Sequence, residues 1–185
     1  MLLENELPEC HRREQIDEIA EKFCMNHGSS KNARKRLSRT LFLLPQNRLD
    51  LIPFYSRMAA AVDRVWGDIS PSLVTELEQR FHGLAKFKKN QSVDSRMRTA
   101  RYIGELTKFR VAPPIVFLRC FRRCLDDFTG SNVDVACCLL ESSGKFLFRL
   151  QHTNAKLAGL MEAATRLSKT KVSSQEMALS FLAFN

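Results

Sequence analysis

At 185 residues, 44% hydrophobic and 26% charged, the chain is long enough for one well-filled core and short for two. Its seven Gly and six Pro are few for a turn-rich β fold, and no stretch approaches the roughly 18 to 20 apolar residues of a membrane span. The formal net charge of +9, from 29 Lys and Arg against 20 Asp and Glu, implies a modest attraction for RNA, an acidic protein surface or an anionic membrane.

The first residues, Met1-Leu2-Leu3-Glu4-Asn5-Glu6, place acid where a secretory signal carries positive charge and then an apolar block. A cytoplasmic chain with six reduced cysteines is the expectation. From there the apolar spacing is helical, predicting helices over 9–26, 31–44, 48–66, 71–88, 94–110, 114–128, 132–149, 153–168 and 173–184. Pro45 ends the second, and Pro53 either sits in the first turns of the third or kinks it. That third helix has a clear stripe through Ile52, Tyr55, Met58, Ala59, Val62, Val65 and Trp66. Ser70-Pro71 reads as cap and first-turn proline of the fourth helix, and Pro113-Pro114 opens the sixth. The sixth buries Phe117, Cys120, Phe121, Cys124, Leu125 and Phe128. Thr129-Gly130-Ser131-Asn132 separates it from the seventh, with Gly130 suited to a left-handed stop. The stripe of the seventh runs through Val133, Ala136, Cys137, Leu140, Gly144 and Leu147.

Short links between consecutive helices make antiparallel neighbours. A faint repeat adds order to them. Arg101 through Phe109 resembles Cys138 through Phe146, offset by about 37 residues. Leu77, Phe81 and Leu84 echo Phe117, Phe121 and Leu125 at a spacing of about 40. Two helices per period of that size make a HEAT-type hairpin, which buries its apolar face only by stacking on another. The fold class expected is therefore all-α, with HEAT-like hairpins stacked into a right-handed curved solenoid.

No reactive constellation stands out. The phosphate-cradling, zinc-protease and nucleophile-elbow motifs are absent, and His11, His27, His82 and His152 are scattered. Cys120, Cys124, Cys137 and Cys138 lack the loop knuckles of a structural zinc site, so core packing is the better reading. Glu105 has no visible acid–base partner and could be salt-bridged to a neighbouring helix. Neither catalysis nor a metal or cofactor is expected. The basic residues are more informative. Lys31, Arg34, Lys35, Arg36 and Arg39 crowd one short helix and are the candidates for contact with RNA or an acidic partner. Lys86, Lys88, Lys89, Arg96, Arg98 and Arg101 surround a polar segment. Few exposed aromatics interleave with either group, which weakens a base-stacking role. Gly104 and Gly144, inside predicted helices, are expected at tight helix crossings, since a helical glycine costs about 1 kcal/mol relative to Ala.

Three blocks carry a resemblance. They are Asn32-Ala33-Arg34-Lys35-Arg36-Leu37 with Arg48 through Arg57, then Arg101 through Phe109, then Leu139 through Arg149. In this order they resemble the middle domain of translation initiation factor four-G, a HEAT-repeat domain. Within that family they are most similar to the second of three such domains carried by scaffolds of nonsense-mediated mRNA decay. The resemblance covers roughly residues 7 to 150. It implies a fragment of a larger multi-domain scaffold; the length makes residues 1–185 one unit, without enzymatic chemistry by its motifs, and a monomer is the default for a solenoid slice inside a longer chain. Its partners would be other nonsense-mediated decay factors, reached through the parent protein. The alternative is a direct RNA-binding domain of a translation, splicing or ribosome-assembly factor, making weak RNA contact.

Overall fold

The computed structural model describes residues 6–43, 48–85 and 90–183, with side chains except at 90–92 and 171–183. The helices are α1 (Arg13–Asn26), α2 (Lys31–Phe42), α3 (Ile52–Asp63), α4 (Ile69–Leu84), α5 (Asn90–Lys108), α6 (Pro114–Asp126), α7 (Gly130–Leu139), α8 (Lys145–Arg149) and α9 (Gln151–Ala183). Short 3-10 turns at Leu7–Glu9 and Leu49–Leu51 precede α1 and α3, and a π turn, Leu140–Gly144, joins α7 to α8. No strand occurs among the described residues.

Local chemistry sets the ends. Gln15 Oε1 accepts from the N–H groups of His11 and Arg12, both at 3.1 Å, at the start of α1. Ser30 caps α2 by accepting from the Ala33 N–H. Pro53 lies in the first turn of α3, where its missing N–H is harmless, so it does not kink the helix. Ser70 is not the cap of α4. The helix begins at Ile69, and the Ser70 N–H donates to the Asp63 carboxylate at 3.1 Å. Gly130 is not a left-handed stop either: no described glycine has positive φ, and Gly130 is the first residue of α7. The left-handed residue is Arg110, φ 62°, just past α5. The Val111 N–H donates to the Leu106 carbonyl and the Arg110 N–H to the Thr107 carbonyl, the paired bonds of a Schellman stop. An arginine holds the place that usually falls to glycine.

Alternate helices form two layers. In one, α1 packs on α3, α3 on α5 and α5 on α7; in the other, α2 packs on α4, α4 on α6 and α6 on α9. The layers meet through α4 on α5 and α6 on α7. Consecutive helices therefore belong to opposite layers, as stacked hairpins require. The large buried side chains Tyr55, Phe81, Phe117 and Phe121 fill the space between. Tyr102 is buried there too, and its hydroxyl donates to the Leu41 carbonyl at 3.2 Å, tying α5 to the end of α2.

The repeat of about 40 residues has a physical counterpart. Arg57 of α3 grips Asp17 of α1 through two bonds of 2.8 and 2.6 Å, 40 residues apart. Arg119 of α6 grips Glu78 of α4 in the same way, 41 residues apart. The Cys138 thiol donates to the Met97 carbonyl, again 41 apart. Equivalent positions of successive hairpins thus touch one another.

Three further expectations change, and one holds. Gly104 does lie at a tight crossing: a Cβ there would stand 1.9 Å from Ser142 Oγ and 2.7 Å from Ser142 Cβ on the π turn. Gly144 does not, since its nearest neighbour is its own Leu140 side chain, at 3.3 Å. The inward face of α7 runs through Asn132, Val135, Ala136 and Leu139, leaving Cys137 exposed. The run Val133 to Leu140 is apolar on nearly every side, so its periodicity does not single out one face. Last, the two helices expected at 153–168 and 173–184 are one helix of 33 residues through Ala183. The intervening Lys169, Thr170 and Lys171 are polar, but no Gly or Pro interrupts them.

Candidate docking surface

The five cations nominated on α2 do not act as one group. Arg34 turns inward and is only 13% exposed. Its Nε lies 2.8 and 2.9 Å from the two Asp68 carboxylate oxygens, and its Nη1 donates to the carbonyls of Gly28 at 2.6 Å and Ser29 at 3.2 Å. Its guanidinium also lies 4.8 Å from the centre of the Trp66 ring. Asp68 directly precedes α4, so Arg34 joins two hairpins and is not available to a partner. Lys31 is exposed at the start of α2.

Lys35, Arg36 and Arg39 do come together. All three are exposed, and none forms an ion pair among the described residues. They line a groove of about 630 Å³ with Phe42 and Leu43 at the end of α2 and Ser72 and Glu76 on α4. Leu43 is 58% exposed, a large apolar side chain left in water. Phe42 is half-buried beneath the Arg80 guanidinium, 5.5 Å from its ring centre. The Ser72 hydroxyl donates to Glu76 at 3.4 Å. Among the described residues the groove is thus cationic on one wall, apolar at one end and carries a single carboxylate on the other wall. Phe42, Leu43, Ser72 and Glu76 were not nominated from sequence. Their signal is tertiary: α4 reaches α2 only through the alternate-layer packing.

The second basic group also divides. Lys86, Lys88 and Lys89 lie outside the described residues. Arg96 is buried against Phe81, donating to Asn132 Oδ1 and lying 3.6 Å from the Cys124 sulfur. Burial lowers the pKa of this guanidinium. Arg98 bonds to Ser95, and Arg101 is exposed. Arg96 is a core residue, not part of a polyanion surface.

A comparison of the whole chain with known families matches the MIF4G domain over residues 4–181. The chain belongs to the MIF4G domain family. It is 38% identical over 165 residues to the regulator of nonsense transcripts UPF2 of Arabidopsis thaliana, covering 89% of this chain and 14% of that protein. It is 37% identical over 161 residues to regulator of nonsense transcripts 2 of Homo sapiens, covering 87% of this chain and 13% of that protein. The nonsense-mediated mRNA decay protein 2 of Schizosaccharomyces pombe is 32% identical over 146 residues, 79% of this chain and 14% of that protein. The chain therefore spans about a seventh of the length of these relatives.

As a MIF4G domain the chain is a HEAT-like array of helical hairpins and not an enzyme. Burial pushes the Cys124 thiol up to about 11 and the Cys120 thiol higher still, so both stay protonated and inert at neutral pH. Glu105 pairs with Lys108 of its own helix at 2.7 Å, not with a neighbouring helix. Among the described residues no group of three His, Cys, Asp or Glu could hold a metal, and no helix is long and apolar enough to cross a membrane. The groove on this MIF4G array can offer ion pairs and apolar contact.

Proposed function

We propose that this MIF4G domain is a scaffold module of a cytoplasmic nonsense-mediated mRNA decay factor, and corresponds to the second of three such domains in a longer protein. The observation that carries the reading is the similarity to decay proteins of a plant, a mammal and a fission yeast, each above 30% identity over most of this chain. The contacts of such a module are with other decay factors, directly or through the rest of the parent. The rigid two-layer array suits that role, because it presents long helix faces at fixed spacing. The test is a reporter mRNA with a premature stop codon, in cells depleted of the parent protein. Re-expressing the intact parent restores rapid decay of the reporter, and a parent lacking this domain does not. Equal decay with both refutes the reading.

A second reading, direct RNA binding, is favoured by the exposed Lys35, Arg36 and Arg39 and the net charge of +9. Titrating a labelled single-stranded RNA at low and physiological salt separates the two. Binding that survives physiological salt and is lost on reversing those three charges supports direct RNA contact.

A further inference from the structure

We propose that the groove between α2 and α4 is a docking site for an acidic peptide segment that carries an apolar side chain. This deepens the scaffold reading by naming the chemistry of a partner.

The cationic wall comes first. Lys35 and Arg39 stand one helical turn apart, about 6 Å, with Arg36 beside them. The spacing matches carboxylates one turn apart on a helix or two residues apart on an extended chain. These cations are exposed and without an acidic partner among the described residues, whereas Arg34, on the same helix, is fully engaged. The apolar end comes second. Leu43 is exposed beside Phe42, whose ring is held by Arg80, so an incoming apolar side chain finds a fixed surface and removes Leu43 from water.

The remaining features favour peptide over nucleic acid. Glu76 on the facing wall repels any anion brought close to it, but it can accept an N–H from a peptide main chain, a donor that a phosphate backbone lacks. Phe42 already has the Arg80 guanidinium over its ring, and among the described residues no other aromatic lines the groove to stack bases. The volume of about 630 Å³ lies in the usual range of ligand clefts, about 300–1,000 Å³.

The experiment is to pan a random dodecapeptide display library on the 185-residue chain. Enriched peptides are then titrated by fluorescence anisotropy at physiological salt against wild type, Lys35→Glu/Arg36→Glu/Arg39→Glu and Leu43→Asp. A uridine oligonucleotide of matched length serves as the nucleic-acid probe. All variants change exposed side chains, and their melting temperatures are measured alongside. The expected result is enrichment of peptides combining Asp or Glu with a large apolar residue. Their affinity falls at least about tenfold in the triple charge reversal. It also falls on Leu43→Asp, while melting is unchanged. Enrichment of peptides without acidic residues, or equal binding to the triple variant, overturns the proposal. So does an oligonucleotide that binds more tightly than the peptides and is indifferent to Leu43→Asp, which would make the groove a nucleic-acid surface. None of these results alters the reporter assay above, so the scaffold reading stands or falls separately.

Discussion

Replacing Gly104 by alanine adds one methyl group where α5 crosses the π turn, and the geometry permits a signed prediction. Two effects oppose each other. Alanine relieves the conformational cost of a helical glycine, a gain of about 1 kcal/mol. Against it, the new Cβ would stand 1.9 Å from Ser142 Oγ and 2.7 Å from Ser142 Cβ. The hydroxyl can rotate away, but the Cβ is fixed to the backbone of the π turn. Carbon atoms settle at about 3.5–4.0 Å, so the turn must retreat by about 1 Å across a packed layer. Overpacking of this kind costs about 1–3 kcal/mol, and here the rigid contact places it in the upper part of that range. The net expectation is a loss of about 1–2 kcal/mol, which in a domain of this size lowers Tm by about 2–8 °C. Gly159→Ala is the control: nothing lies within 4 Å of its added Cβ, so the same substitution raises Tm. Ser142→Gly should remove the clash and turn Gly104→Ala from harmful to neutral or favourable, which a double-mutant cycle by thermal denaturation reads directly. A Gly104→Ala variant that melts at or above wild type would refute the reasoning.

Arg34→Ala is expected to destabilise the domain by about 1–2 kcal/mol, because its bonds to Asp68, Gly28 and Ser29 are lost together. Arg34→Lys should recover little of this, since an ammonium cannot reproduce the forked contact and the stacking on Trp66; urea denaturation of both variants checks it. Arg110→Gly should raise stability by about 0.5–1 kcal/mol by relieving the left-handed backbone of an exposed residue, seen as a higher urea midpoint with an unchanged slope.

Much of the array was legible because hairpin stacking is written in local signals. The prolines at 53 and 114 and the stripes of α3 and α6 each depend on residues a few positions apart. The features that stayed hidden depend on residues far apart in sequence. Arg34 and Lys35 are neighbours of like charge, yet only Arg34 meets an aspartate 34 residues on. Arg96 looked like a surface cation in a polar stretch until the packing of α4, α6 and α7 closed over it. The left-handed stop fell to Arg110 because the chain must turn sharply between α5 and the extended Pro113 that opens α6, and no glycine lies in that link. The cationic wall of the groove was visible in the chain; its facing wall, on α4, was not.

The contacts between successive hairpins also differ in kind along the array. Asp17–Arg57 and Glu78–Arg119 each rely on a long arginine open to solvent, and salt weakens their attraction. Where α5 meets the π turn, Gly104 presents no side chain of its own, and the Ser142 side chain fills the space against it. The joints therefore answer differently to ionic strength: added salt loosens the two charged contacts and leaves the close fit of Ser142 against Gly104 as it is.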